Sequence, residues 1–77
     1  MKEVYRTFEI KDGRGWKETY ITTDRAKVYE DLACELMNLK VFKSPVYKSV
    51  TQHNNYDGTR TVIIYQDNGR SVYRIDE

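Results

Sequence analysis

The chain holds a single thiol, Cys34, and a single imidazole, His53, so a nucleophilic cysteine–histidine pair would have to combine them. Cys34 falls in the middle of a predicted helix, whereas His53 falls on a predicted strand. Acidic residues flank the thiol along the helix and disfavour the thiolate that such chemistry requires. These residues are Glu30, Asp31 and Glu35. We therefore expect Cys34 to be a packing or half-exposed helix residue, and we expect no catalytic residue.

A metal site centred on His53 would need two or three further ligands close to it. Asp57 follows four residues later, but a predicted turn separates the two. The chain has neither a Cys-x-x-Cys nor a His-x-x-x-His spacing. We therefore predict no metal ion and no cofactor.

Two carboxylates, Asp31 and Glu35, lie one helical turn apart and share a predicted helix face. Carboxylates that act as an acid–base pair lie in a pocket that perturbs their pKa values. Here they fall on the polar side of an amphipathic helix, where we expect them to be solvated. At most they form an acidic ridge that meets a basic partner, so the chain is not predicted to be an enzyme.

The chain is rich in aromatic residues, which make up 13% of it and include seven tyrosines. Tyrosine is enriched at protein interfaces because it gives a large contact area and keeps a polar tip. It is also a good strand former that is tolerated when half-exposed. Which of the two roles applies depends on the sheet face that each tyrosine occupies.

Three turn signals indicate the elements that position these residues: Asp12-Gly13, Asp57-Gly58 and Asn68-Gly69. Apolar residues recur at helical spacing over residues 24–39, with Thr23 or Asp24 as the cap. We predict one small globular domain over residues 1–77. Its fold class is α+β, a two-layer ββαβββ arrangement with one helix packed on one face of an antiparallel sheet. The first hairpin either extends the sheet or packs beside it.

The last three strands are predicted at residues 46–53, 60–66 and 70–75. A two-residue loop at Asn68-Gly69 pairs Tyr65 with Val72, and a three-residue loop at 56–58 sets Val50 opposite Ile64. Arg6 interrupts the apolar side of the first strand, which indicates an edge position. Either Ile21 or the pair of Trp16 and Tyr20 faces inward. The predicted core is Val4, Phe8, Ile10, Val28, Tyr29, Leu32, Ala33, Leu36, Met37, Val46, Val50, Val62, Ile64, Tyr73 and Ile75.

One helix covers only one side of such a sheet, so the other side is left to display its side chains. We expect this side to bind another protein, in the manner of a small inhibitor or accessory factor. A symmetric homodimer that stacks two sheets is a variant of the same hypothesis. The predicted binding residues are Tyr47, His53, Ile63, Tyr65, Val72 and Arg74.

The alternative is a nucleic-acid module in which sheet aromatics stack on bases beside basic residues. Its candidate residues are Tyr47, Lys48, Tyr65, Arg70 and Arg74. The formal net charge is only +1, because thirteen basic residues are balanced by twelve acidic ones and the two signs do not segregate along the chain. This charge distribution disfavours the nucleic-acid hypothesis.

In size and tyrosine content the whole chain resembles the small accessory proteins that bacteriophages use to bind and disable host machinery. This phage-like character implies a host enzyme or complex as the partner, in preference to catalysis. We predict a cytoplasmic protein without a membrane partner. The chain has one cysteine, no signal-peptide pattern at its start, and no apolar run of about 20 residues.

Overall fold

Each of the three turn signals lies at a β-hairpin, and the helix follows the first hairpin. The computed structural model describes residues 3–76. Its elements are β1 (Tyr5–Asp12), β2 (Gly15–Thr22), α1 (Arg25–Lys40), β3 (Tyr47–Asn54), β4 (Thr59–Gln66) and β5 (Arg70–Asp76). The predicted fold class is confirmed, because the described chain forms one antiparallel sheet of five strands with a single helix against it.

The strand order is β2-β1-β5-β4-β3, so the first hairpin extends the sheet of the other three strands. β1 is an inner strand between β2 and β5, and the expectation that Arg6 marks an edge was wrong. The helix connects the two edge strands and therefore crosses the sheet. Its 16 residues cover about 24 Å at ~1.5 Å per residue. This length matches the roughly 19 Å between the axes of the edge strands.

Helix α1 begins after Asp24, whose carboxylate accepts a hydrogen bond from the Ala26 backbone nitrogen at 3.1 Å. Its buried residues are Val28, Leu32 and Glu35. The predicted stripe ran on through Ala33 and Met37, and both of these residues are exposed. The helix is thus rotated toward Glu35. No helix among residues 3–76 is long and apolar enough to cross a membrane.

The core between helix and sheet contains most of the predicted residues. The buried apolar side chains are Val4, Val28, Leu32, Val62, Ile64, Tyr73 and Ile75, with Tyr29, Leu36, Tyr47 and Val50 packed against them. Phe8 and Ile10 are half-buried. The three-residue loop before β4 is confirmed, because Val50 pairs with Ile64 and Gly58 has a φ of 85°.

The predicted register between β4 and β5 was wrong by two residues. Val72 pairs with Ile63 instead of Tyr65, and the Gln66 nitrogen bonds the Gly69 oxygen at 2.8 Å across a loop of Asp67 and Asn68. A shift of two residues leaves every side chain on its predicted face. Gly69 pairs at the end of this hairpin. A glycine is required there because β1 passes very close, and a Cβ at this position would lie 2.3 Å from the Glu9 backbone oxygen.

Further predictions were wrong because strand pairing is irregular at both edges of the sheet. The register shifts between Tyr47 and Ser49, so Tyr47 packs against the core while Val46 is 47% exposed. We had predicted the reverse for this pair. A second shift in the pairing of β1 with β2 puts Tyr20 opposite Phe8 on the helix side. Trp16 and Ile21 then share the other side, which neither of our alternatives anticipated.

Candidate protein-binding face

The side chains of the sheet that point away from α1 form a surface that we call the open face. Strand pairing arranges most of them in three rows across the sheet. The middle row contains Ile21, Thr7, Val72, Ile63 and Thr51. The second row contains Tyr5, Arg74, Thr61 and His53, and the third contains Glu18, Glu9, Arg70, Tyr65 and Ser49.

The middle row carries no charge, and its apolar members are Ile21, Val72 and Ile63. Ile21 is 56% exposed, whereas Val72 and Ile63 are half-buried by their neighbours on the sheet. Thr7 is small and only 6% exposed, so the surface dips above it. This shallow depression has a volume of about 290 Å³ and is lined by Tyr5, Thr7, Glu9, Glu18, Ile21, Ile63, Arg70 and Val72. An apolar side chain of a partner would fit there.

The third row holds Arg70 in a fixed position. The Arg70 Nε donates a hydrogen bond to Glu9 Oε1 at 2.7 Å. The guanidinium carbon also lies 4.1 Å from the centre of the Trp16 ring, and Lys11 Nζ lies 5.1 Å from the same centre. Both distances lie within the range of a cation–π interaction. The contact orients both the arginine and the tryptophan before any partner binds.

The second row holds Arg74 in a similar way. Its guanidinium pairs with the carboxylate of Asp57, which lies in the loop between β3 and β4. Asp57 in turn accepts a hydrogen bond from the Thr59 backbone nitrogen at 3.0 Å, so the loop is fixed as well. His53 lies at the end of this row on the edge strand β3, where it is exposed.

Five of the six predicted binding residues share the open face: His53, Ile63, Tyr65, Val72 and Arg74. Tyr47 does not, because the irregular pairing of β3 turns it toward the core. The sequence did not predict Trp16 or the Thr7 depression as parts of the same surface, and it indicated Arg70 only for the nucleic-acid alternative. Strand alternation already put Thr7 on this side. What it did not reveal was that β5 lies beside β1.

Cys34 and His53 lie on opposite sides of the sheet. Cys34 is exposed on the helix, and His53 pairs with Thr61 on the open face. Among residues 3–76, no group of three or more histidine, cysteine or acidic residues is placed to hold a metal ion.

A buried polar cluster lies between α1 and the sheet, and its centre is Glu35. We expected this carboxylate to be solvated, but the residue is only 7% exposed. It accepts hydrogen bonds from Gln66 Nε2 at 2.7 Å, from Ser71 Oγ at 2.8 Å and from the Tyr73 hydroxyl. Burial and the hydrogen bond to Glu35 raise the pKa of the Tyr73 hydroxyl, which therefore stays protonated as a donor.

Arg6 supplies the positive charge of this cluster. One Nη2 hydrogen bond reaches Ser71 Oγ at 3.1 Å, and the guanidinium lies 3.7 Å from Glu35 and 3.9 Å from Asp31. It also lies over the ring of Tyr20 at 5.1 Å. These contacts explain how an arginine is accommodated on an inner strand. All of them are internal to the fold, so we assign the cluster a structural role.

A second internal contact joins the end of β5 to the start of α1. Asp76 accepts hydrogen bonds from Arg25 Nη1 at 2.8 and 2.9 Å, and the Tyr29 hydroxyl bonds the same carboxylate. The hydrogen bonds from Arg25 and Tyr29 lower the pKa of Asp76 to about 2. The contact holds the last strand against the helix while the carboxylate is ionised.

No family model, curated protein or solved structure matches this chain. The resemblance to phage accessory proteins therefore stays a prediction. The chain's function has to be inferred from its own residues.

Proposed function

We propose that this chain is a small non-enzymatic interaction protein, of the inhibitor or accessory type, that binds another protein through its open face. The observation that carries the proposal is the apolar middle row, which no second layer covers within residues 3–76. Ile63 and Val72 lie at its centre, and α1 is on the other side of the sheet. A cytoplasmic location and a phage-like role against a host protein belong to the same proposal.

The composition of the open face supports a protein partner. Binding energy at protein interfaces is concentrated in tyrosine, tryptophan and arginine. The open face presents these three types around its apolar row, as Tyr5, Tyr65, Trp16, Arg70 and Arg74. Because both arginines are already held by carboxylates, binding costs less side-chain entropy.

The size of the open face is sufficient for a specific but modest interface. Five strands of about eight residues give a surface of ~24 by ~26 Å, or roughly 600 Å². A partner that covers it fully would bury about 1,200 Å² counted over both proteins, which is the lower end of the range for specific complexes. We therefore expect a reversible complex.

Nucleic acid is less well suited to this surface. Arg70 and Arg74 are each paired with a carboxylate, which weakens their attraction for phosphate. Lys48, a third residue of that hypothesis, forms an ion pair with Asp67 at 3.0 Å. Tyr47 packs against the core, which leaves less of its ring available to stack on a base. The nucleic-acid alternative thus loses several of its candidate residues.

An affinity experiment with matched variants tests the proposal. The native chain, Ile63→Glu and Met37→Glu are immobilised in parallel and exposed to nuclease-treated extract of the source cells. Ile63 lies on the open face, whereas Met37 is a half-exposed residue of the helix. We expect the native chain and Met37→Glu to retain the same protein and Ile63→Glu to lose it, with circular dichroism showing that all three are folded. Identical retention by the three would refute the proposal.

A second copy of the chain is one candidate for the bound protein. Sedimentation over a range of concentrations measures it directly. A dimer that Ile63→Glu dissociates would support the stacked-sheet variant. A chain that stays monomeric at high concentration removes it and leaves a different protein as the partner.

A further inference from the structure

The turn between α1 and β3 holds more of the exposed large apolar side chains than any other part of residues 3–76. Four of the seven large apolar side chains that are exposed lie here, within ten residues. They are Met37 at 50%, Val41 at 67%, Phe42 at 66% and Val46 at 47% exposure. We call these four residues the turn patch. The core does not use them, and they are not part of the open face.

The backbone of the turn holds these residues in place. The Val41 and Phe42 nitrogens both bond the Met37 oxygen, at 2.9 and 3.0 Å, so the chain winds tightly off the helix. Lys43 then adopts a positive φ of 52°, and the Ser44 nitrogen bonds the Asn38 oxygen at 2.9 Å. Phe42 is therefore displayed by an ordered turn.

The net charge beside the turn patch is positive. Residues 36–56 contain no aspartate or glutamate, but they contain Lys40, Lys43 and Lys48. Lys48 is paired with Asp67 at 3.0 Å, and the Asp67 nitrogen bonds the Val46 oxygen, so one carboxylate adjoins the patch and is neutralised there. Lys40 and Lys43 are exposed and leave a net positive charge beside the apolar side chains.

The composition of the turn patch favours a lipid surface over a protein. Protein interfaces are enriched in tyrosine, tryptophan, phenylalanine, methionine and arginine and depleted in lysine. The segment 37–46 shares phenylalanine and methionine with such interfaces, but it has no tyrosine, tryptophan or arginine, and two lysines adjoin its apolar side chains. That combination is typical of segments that insert apolar side chains at a membrane interface beside anionic headgroups.

We propose that the turn patch binds the surface of an anionic lipid bilayer. Val41 and Phe42 enter the boundary between headgroups and acyl chains, while Lys40 and Lys43 contact the anionic headgroups. Our expectation of no membrane partner was drawn from the lack of a spanning segment, which peripheral binding does not need. The turn leads from the helix into the edge of the sheet, so the open face stays free for a protein. The proposal does not depend on the function of that face.

Cosedimentation with vesicles tests the proposal. The native chain is mixed at low ionic strength with vesicles of phosphatidylcholine alone or with 30% phosphatidylserine. We expect binding to the anionic vesicles only. Phe42→Ser should weaken it about tenfold or more. The double change Lys40→Gln and Lys43→Gln should weaken it by about 30-fold, the value for two lysines at an anionic surface.

Ile21→Ser is the matched control, because Ile21 is an exposed apolar residue of the open face. It should bind the anionic vesicles as the native chain does. A second readout uses Phe42→Trp in a Trp16→Phe background, in which brominated lipid should quench the new tryptophan. Failure of the native chain to bind anionic vesicles would overturn the proposal. So would native-like binding by folded Phe42→Ser.

Discussion

The two faces of this sheet both carry arginine paired with carboxylate, but they use the pair differently. On the covered face, Arg6 lies against Glu35 beneath the helix, and hydrogen bonds from three further side chains reach that carboxylate. On the open face, Arg70 pairs with Glu9 and stays partly exposed on Trp16. The covered pair, Arg6 and Glu35, holds the helix and the sheet together. The open pair orients groups that a partner can still reach.

Because of this difference, neighbouring residues of one strand have different roles: one contributes to stability and the next to binding. In β4, Ile64 is fully buried while Tyr65 is half-exposed on the other side. A substitution on the covered face should therefore act on folding, and one on the open face should act on association. Each prediction below tests that separation.

The largest effect is expected from Ile64→Ala. Ile64 is 0% exposed in the middle of the core, so truncation removes buried apolar area and leaves a cavity. We expect a loss of about 2–5 kcal/mol in the free energy of unfolding, measured by urea denaturation. Such a loss is a large part of the stability of a small domain.

Tyr65→Ala is the matched control for Ile64→Ala. It should lower the free energy of unfolding by less than about 1 kcal/mol, in the range of surface substitutions. It should weaken partner binding. If Tyr65→Ala unfolds the chain as severely as Ile64→Ala, the two faces are not distinct in the way described.

Glu35→Ala should have the next largest effect. It leaves Arg6 with Asp31, at 3.9 Å, as its remaining counter-charge and removes the acceptor for Gln66, Ser71 and Tyr73. We expect a loss of about 2–4 kcal/mol in the free energy of unfolding, again from urea denaturation.

Glu35→Gln keeps an oxygen acceptor at the same place and should lose less stability than Glu35→Ala. Neither change should alter partner binding once the chain is folded. Equal binding losses for Glu35→Gln and Ile63→Glu would mean that the cluster takes part in recognition and would break the comparison between the faces.

Local patterns in the sequence predicted the elements and most face assignments of the last three strands. Val62, Ile64, Tyr73 and Ile75 alternate with polar or half-exposed residues, and alternation survives a register error of two residues. The error itself arose from Gly69. We assigned this glycine to the turn, whereas it is required by the close approach of β1, a contact between distant parts of the chain.

The features of the core and of the candidate site that the sequence did not predict also depend on distant contacts. Glu35 looked solvated because its partners lie on β1, β4 and β5, far from the helix in sequence. Trp16 joined the open face only because the pairing of β1 with β2 is irregular. Tyr47 left that face because β3 has a similar irregularity. Irregular pairing has no period in the sequence, so alternation cannot anticipate it.

The smallest predicted effect concerns pH and the contact between Asp76 and Arg25. The pKa of Asp76 is lowered to about 2 in the folded chain, from an ordinary value of 3.8. Because the folded-state pKa is the lower one, the contact stabilises the fold above about pH 4, and its contribution is lost as the pH falls through about 2. Asp76→Asn should remove this part of the acid sensitivity, measured as the thermal midpoint between pH 2 and 5.

Arg25→Gln should have the same consequence, since the hydrogen bond from Arg25 is the main cause of the lowered pKa. Other carboxylates also titrate in this range, so the informative quantity is the difference between native chain and variant. Parallel curves for the native chain and both variants would show that the contact adds nothing to stability. Because Asp76 and Arg25 join β5 to α1, neither change should weaken the binding of a partner at pH 7. That result would show that the contact between Asp76 and Arg25, the most exposed of these internal contacts, takes no part in binding at the open face.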